Sequence, residues 1–317
     1  MKRIVCIILA LAMVLGLCSC GKKEEIPAKP DGQQLTLSES TIMEWMDDSV
    51  GMWEFAQRFF TDKIIYKTKL GTWTYQTVDP NLPKSNYNWD NLRHAGPIAN
   101  TEWEYYEDGE LKSIKGIDVS TYNKVTDWDA VKASGVDFVM LRAGYRGYSK
   151  GTLVEDEKFI KYAQDASAAG LQLGVYFVTQ AINETEAEAE ADYVISLMKN
   201  SKVKFTWPIA MDLEDAASLD ARTAMLSKEE RTEIIKAFCE RIKKAGYTPM
   251  LYAAIRWYMD EMDISKLTEY DKWFAQYFNR PFFPYEFQMW QYTSSGVVDG
   301  IDGNVDLNIC FENYAER

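Results

Sequence analysis

Histidine is almost missing from this chain, and cysteine is scarce wherever a fold would use it. One histidine, His94, stands among 317 residues, and the five cysteines form no cluster in the body of the chain. A metal site built on paired imidazoles or on several thiolates is therefore excluded, and no metal or cofactor is expected. A Ser-His-Asp triad would have to be built on His94, in a loop-like stretch far from every strand signal, and is set aside. Cys6, Cys18 and Cys20 lie near the N-terminus, which leaves Cys239 in a helical pattern and Cys310 in a terminal strand or loop. Two buried free thiols are expected there rather than a disulfide. Positive charge is also short: 35 Lys and Arg stand against 48 Asp and Glu, a formal charge of −13. That balance argues against nucleic acid and against binding anionic lipid through charge.

What is present first is a leader. Lys2-Arg3 precede an uncharged run from Ile4 to Leu17, well short of the ~20 residues needed to span a bilayer but right for a signal sequence. The following Leu17-Cys18-Ser19-Cys20-Gly21 resembles a bacterial lipobox, with residues 1–19 removed and Cys20 lipidated; an ordinary secretory signal cut nearby is the alternative. Residues 20–36, charged and containing Pro and Gly, have the composition of a tether. Loss of Lys2 and Arg3 leaves 33 basic against 48 acidic residues, a formal charge of −15. Leu37 to Tyr66 reads as one or two amphipathic helices, with Ile42, Trp45, Met46, Met52, Trp53, Phe59 and Phe60 on the apolar side. Residues 67–112 read as loop and strand, ending in a hairpin over Glu102–Leu111 that turns at Asp108-Gly109. Together 37–112 form a small accessory region with no site chemistry of its own.

From Ser113 the pattern becomes regular. Apolar strand candidates are Ile114–Val119, Phe138–Ala143, Leu171–Val178, Trp207–Leu213, Met250–Ala254, Trp273–Tyr277, Phe287–Tyr292 and about Asn304–Ile309. Helical stretches Asp127–Ser134, Glu155–Ala169, Glu184–Lys199 and Ser227–Ala245 separate the early ones. The second opens on Glu155-Asp156-Glu157 and stops at Gly170; the fourth opens on the box Ser227-Lys228-Glu229-Glu230 and stops at Gly246. Such alternation implies parallel strands with right-handed crossovers. Eight strands predict a closed, irregular β/α barrel of the TIM type over 113–314, with shorter and less helical later connections.

Carboxylates mark the strand ends. On the fourth strand Asp212 and Glu214 point to the same side, about 6–7 Å apart along the chain. Closure makes the first and eighth strands neighbours, so Asp118 and Asp306 are expected close together on the same rim. Each acid alone reads as a cap or turn residue; four on one mouth point to acid/base work on a glycosidic bond. Tyr145, Tyr176, Tyr252, Trp257, Tyr277, Trp290 and Tyr292 mark the same ends, where rings stack on sugars or fill the core.

Taken in order, Gly116-Ile117-Asp118-Val119-Ser120, Asp127-Trp128 with Val131, Gly135-Val136-Asp137-Phe138, Arg142-Ala143-Gly144-Tyr145 and Gly174-Val175-Tyr176-Phe177 resemble glycoside hydrolase family 25, the N-acetylmuramidase-type lysozymes. Pro208 to Glu214, Ala245-Gly246-Tyr247 with Tyr252, Trp273-Phe274-Ala275-Gln276-Tyr277, Trp290-Gln291-Tyr292 and Val305-Asp306-Leu307-Asn308 continue the likeness over residues 113–312. The resemblance implies an irregular eight-stranded barrel that cleaves the β-1,4 bond between N-acetylmuramic acid and N-acetylglucosamine. It implies Glu214 as proton donor, and Asp212 as nucleophile or as orienter of the substrate's acetamido group. Asp118 and Asp306 would stabilise positive charge on the sugar or position water. Arg142, Tyr145, Tyr176, Tyr252, Gln276, Tyr277, Trp290 and Gln291 become the expected substrate contacts. Two departures, Tyr122-Asn123 where the family carries Tyr-Gln and Phe177 where many members carry His, leave the carboxylates untouched. A chitinase-type barrel needs further aspartates where this chain has Ala210 and Pro208, which counts against it. A lipid-anchored, non-catalytic glycan-binding protein on the same barrel is the alternative from another class. The expected partners are peptidoglycan strands and, through the lipid, the membrane of a bacterial envelope, with the chain a monomer.

Overall fold

Eight strands close into a barrel in the computed structural model, which describes residues 61–95, 102–216, 218 and 220–317. The leader, Cys20, the tether and the amphipathic stretch up to Phe60 lie outside the described residues. Lys63 to Tyr66, read as the end of a helix, is instead strand. β1 (Lys63–Lys67) and β2 (Trp73–Thr77) form an antiparallel hairpin, as the β-branched and aromatic run Ile64-Ile65-Tyr66 favours. A three-stranded sheet follows, made of β3 (Leu92–Ala95), β4 (Glu102–Glu107) and β5 (Glu110–Leu111). The expected turn joins the last two, with Asp108 and Gly109 both at positive φ, the signature of a type I′ hairpin. His94 sits on β3, not in a loop, with its ring edge-on to Trp103.

The barrel strands are β6 (Ile114–Val119), β8 (Phe138–Arg146), β10 (Gln172–Val178), β11 (Ile209–Leu213), β12 (Pro249–Ala254), β13 (Asp271–Ala275), β14 (Met289–Gly296) and β16 (Val305–Cys310). Short β7 (Lys124–Val125), β9 (Leu153–Glu155) and β15 (Ile301–Asp302) decorate the connections. Helices α1 (Trp128–Ala133), α2 (Phe159–Ala168), α3 (Glu184–Ser201) and α4 (Lys228–Lys244) carry the first four crossovers. The capping box at Ser227 and Glu230 is formed. The acids before α2 are not its cap: Lys158 occupies that position with no side-chain capping bond, while Glu155 ends β9 and Asp156 serves the site described below. After β12 the connections shrink to the π-helical turn Trp257–Glu261 and the 3-10 turn Ile264–Lys266.

One strand departs from the parallel expectation. β16 runs antiparallel to both β14 and β6. Only residues 297–304 join it to β14, and a parallel return needs a crossover of a dozen residues or more. The reversal places the start of β16, not its end, on the rim where β6 finishes. Asp306 is thereby directly opposite Asp118.

Strand alternation separates two apolar regions. Ile209, Met211, Val175 and Leu251 face outward to the helices, whereas Phe138, Met140, Ala210, Met250, Trp273, Met289 and Cys310 fill the barrel interior. Trp207 stacks on Phe138 at 3.8 Å between ring centres, and Tyr314 at the C-terminus packs against Trp207. Room for these large groups comes from glycine: a Cβ on Gly116 would lie 2.1 Å from the Phe138 ring, and one on Gly174 2.3 Å from the Met140 sulfur. One step further along each strand the inward residues turn polar: Asp118, Arg142, Tyr176, Asp212, Tyr252, Gln291 and Asn308. The floor is apolar and tightly filled, and the chemistry sits on top of it. Cys239 and Cys310 are both buried and unpaired.

Candidate active site

The acids are held by the pleat. Asp212 is the last inward residue of β11, and Glu214 follows one residue past the strand end, pointing to the same side. Asp212 is 5 % exposed and Asp118 6 %; Asp306 is half-buried and Glu214 exposed at the mouth.

Asp118 is clamped from two strands. Gln291 Nε2 and Asn308 Nδ2 each donate to its Oδ2 at 2.8 Å. The amide of Asn308 cannot turn round. Trp273 Nε1, a donor only, reaches Asn308 Oδ1 at 2.8 Å, while the hydroxyls of Tyr252 and Tyr277 reach Gln291 Oε1 at 2.8 and 3.0 Å. The donor-only indole fixes the Asn308 NH2 towards the carboxylate, and with the two hydroxyls donating to its oxygen Gln291 turns its NH2 the same way. Bonds of this kind to a charged acceptor are worth about 1.5–3 kcal/mol apiece.

Asp212 has the opposite surroundings. Its buried Oδ1 has no hydrogen-bond partner. A buried acceptor left open is costly and invites a donor from outside. Burial pushes the Asp212 carboxyl well above the usual range, helped by the charges of Glu214 and Asp118 and opposed by Arg142. Asp118 is raised by burial and by Asp306, against the pull of its two amides. Glu214 is raised chiefly by burial of its inner side, with Arg142 opposing and Asp215 adding to the rise. Burial brings Asp306 up to about 6. Several carboxyls crowded round one guanidinium oppose one another's ionisation.

That arrangement weakens the fold. The Asp306 carboxyl binds its proton more tightly folded than unfolded, so its contribution to stability is complete below about pH 4 and is lost as pH rises through about 6. Asp306→Asn should therefore be more stable than the natural chain above pH 6, with the gain shrinking towards pH 4. Unfolding midpoints measured across that range check it; a gain independent of pH would contradict it.

Arg142 is fixed by Asp156, through Nε at 2.8 Å and Nη2 at 2.7 Å to the same oxygen. The rings of Tyr122 and Tyr145 lie 5.0 and 5.9 Å from its guanidinium carbon, and Tyr122 is 85 % exposed. On the opposite side an open cavity of about 360 Å³ is lined by Glu214, Asp215, Tyr252, Arg256, Trp257, Gln276 and Tyr277 among others. The fold thus brings Glu214, Asp212, Asp118, Asp306, Arg142, Tyr145, Tyr176, Tyr252, Tyr277 and Gln291 to one mouth, Tyr176 within the field of Asp118, Asp212 and Asp306. Two expected contacts are placed otherwise. Trp290 is wholly buried and donates its indole N–H to the Gln276 carbonyl, so its ring supports the rim and meets no ligand. The Gln276 side chain borders the cavity but accepts from the Phe282 amide at 2.7 Å, which commits its oxygen to holding a loop.

Asp156, Asn308, Tyr122 and Arg256 were missed from sequence. Asn308 carried a signal, since it lies two residues from Asp306 and so on the same face of one strand. Asp156 passed for a helix-start acid, and nothing local separates the two uses.

Residues 117–301 match the glycosyl hydrolases family 25. The autolytic lysozyme of Clostridium acetobutylicum is 25 % identical over 196 residues, 62 % of this chain and 55 % of that one; this chain therefore spans little more than half of that relative. Lysozyme M1 of Streptomyces globisporus is 27 % identical over 207 residues, 63 % of this chain and 68 % of that protein. Among solved structures, a family 25 glycosyl hydrolase from Bacillus anthracis superposes with a TM-score of 0.54 at 20 % identity, covering 69 % of this chain and 96 % of its own. The modular autolysin LytC from Streptococcus pneumoniae gives 0.56 at 24 % identity, covering 78 % and 58 %. At these identities the structures speak for the fold, and the family match, which takes in more than half the chain, speaks for descent. A closed barrel of this order, four acids on one rim and that match together make the chain a member of glycosyl hydrolase family 25.

Proposed function

We propose that the chain is a muramidase, cleaving the β-1,4 bond between N-acetylmuramic acid and N-acetylglucosamine in peptidoglycan. The observation that carries this reading is the open acceptor of Asp212, buried beside a Glu214 whose carboxyl is held above its ordinary range by burial. Lysozymes among its relatives support it.

Glu214, at the open end of the rim, protonates the leaving oxygen. Asp212 Oδ1 meets the reacting sugar from below. It either accepts the N–H of the substrate's acetamido group, turning that group's oxygen onto the anomeric carbon, or attacks that carbon itself. Asp118 and Asp306, a cross-strand pair, stabilise positive charge as it develops on the ring. Two amide donors, from Gln291 and Asn308, fix the Asp118 carboxyl in place for that role and favour its charged form against the burial that opposes it. Arg142 and the rings of Tyr122, Tyr145 and Tyr277 border the groove in which the strand lies. Release of reducing ends from purified peptidoglycan tests the reading; binding without release would assign the barrel to glycan recognition alone.

The place of action is proposed from the leader. Cys20 carries a lipid that holds the enzyme on the outer side of a bacterial membrane. Cys20→Ala is expected to leave the chain uncleaved or to release it from the membrane fraction. A processed variant that stays with the membrane would contradict this, as would a mature N-terminus at another residue.

A further inference from the structure

The segment ahead of the barrel reaches the cleft. Alternation along β1 and β2 puts Ile64, Tyr66, Thr74 and Gln76 on one face of the hairpin, and that face is seated on the turn after β12. Tyr66 Oη donates to Asp260 Oδ1 at 2.5 Å, and Gln76 Nε2 donates to Tyr66 Oη at 2.8 Å and to the Met259 carbonyl at 3.2 Å. This is the same turn whose Trp257, with Arg256 just before it, lines the cavity beside Glu214. So anchored, the hairpin brings its tip to Asp215, the residue after Glu214. Lys69 Nζ lies 3.6 Å from Asp215 Oδ1, and Arg256 holds the other oxygen.

The pairing is loose on the lysine side. A distance of 3.6 Å exceeds the ~2.7–3.2 Å of an N–H···O bond, and the Lys69 side chain is 47 % exposed. The other cations of the mouth are more tightly engaged: Arg142 on Asp156, and Arg256 on both Asp215 and Glu261. Loose pairing leaves the Lys69 ammonium donors for a second acceptor. A chain this acidic, with carboxylates crowding its cleft, repels a carboxylate-bearing polymer unless cations stand along the groove.

We infer that Lys69 is a substrate-binding residue, and that the accessory hairpin is the outer wall of the cleft on the Arg256 side, where Lys69 takes a carboxylate of the glycan strand. The inference rests on the muramidase reading and names the feature of the substrate that is recognised. Two parts of such a strand carry carboxylates, the lactyl group and the attached peptide.

Full-length Glu214→Gln protein, which binds without turnover, is titrated calorimetrically with three oligosaccharides of equal length: peptide-bearing glycan, the same glycan with peptides removed to leave lactyl acids, and neutral chitin oligomer. Lys69→Ala should lower affinity for a carboxylate-bearing ligand relative to chitin about threefold, and Lys69→Glu about tenfold, the range of an exposed ion pair and its reversal. Lys69→Arg should stay within about twofold. The ligand whose affinity falls identifies the source of the carboxylate. Asp215→Asn separates binding from mere latching, because it breaks the same ion pair yet frees the ammonium; it should keep or raise the relative affinity for the carboxylate-bearing ligands. The inference is overturned if the Lys69 variants change nothing, if all three ligands weaken alike, or if Asp215→Asn copies Lys69→Ala. Failure of the muramidase reading shows separately, as an absence of reducing ends with Glu214 intact.

Discussion

Glu214→Gln is expected to lower turnover on peptidoglycan by about 10²–10⁴-fold, the usual share of a positioned general acid, while leaving folding and glycan affinity nearly unchanged. The side chain stands at the open end of the rim, so an isosteric amide disturbs no packing and loses only the transferable proton. A fall in kcat with KM held is the signature of a group that acts in the transition state. The same variant bears on pH dependence. Burial and the charge of Asp215 hold the Glu214 proton to higher pH than an ordinary carboxyl, and Arg142 opposes them. Activity should therefore fall on the alkaline side as this proton is lost, and that limb should vanish from the residual activity of Glu214→Gln. Near-full activity in the variant would move the proton donor to another residue.

Asp212→Asn should cost about 10²-fold or more, as loss of one preorganised electrostatic contact does elsewhere, and it should do so while making the protein more stable. The carboxyl is buried, one oxygen is unpartnered, and its anion is disfavoured by burial, Glu214 and Asp118. A neutral amide removes that penalty, the usual trade between a strained site and stability. Midpoints of thermal unfolding above pH 6 measure the gain. An Asp212→Asn protein that loses both stability and activity would mean that the carboxylate holds the fold rather than serves the reaction. An altered substrate divides the two roles open to this residue. If Asp212 orients the acetamido group, the unaltered enzyme should fail on glycan whose muramic acid is N-deacetylated; if Asp212 attacks carbon itself, that substrate should still be cut.

Much of this site was legible in the sequence because strands write their geometry in steps of two. Asp212 and Glu214 could be assigned to one face from spacing alone, and barrel closure makes the strands of Asp118 and Asp306 neighbours, although Asp306 meets Asp118 from the start of a reversed strand and not from the end of a parallel one. The direction of β16 was not legible in the alternation of elements, although the short link from Gly296 to Val305 contained the reason for it. Spacing also says nothing about which aromatic at a strand end faces a ligand. Trp290 and Tyr277 carry the same signal, yet one is sealed in the core and the other is 54 % exposed. Contacts made across the chain left no trace at all. The clamp of Asp156 on Arg142 and the reach of Lys69 to Asp215 depend on loops and on a hairpin whose docking no local pattern describes. The accessory hairpin shows the limit most plainly: the helical reading of Leu37 to Tyr66 takes in Ile64, Ile65 and Tyr66, and pairing with Trp73–Thr77 makes them strand instead.

The central claim is that the rim of acids cuts a muramyl bond, and the chemical identity of the new chain ends tests it most directly. Purified peptidoglycan is digested with the full chain, the products are reduced with borohydride, and their ends are identified by mass spectrometry. A muramidase leaves N-acetylmuramic acid at the reducing ends and discriminates against chitin oligomers, which share the linkage and the acetamido group but lack the lactyl ether and peptide. Muramitol at the ends, absent in the Glu214→Gln digest, is the predicted result; glucosaminitol ends, or equal cleavage of chitin oligomers, would contradict it.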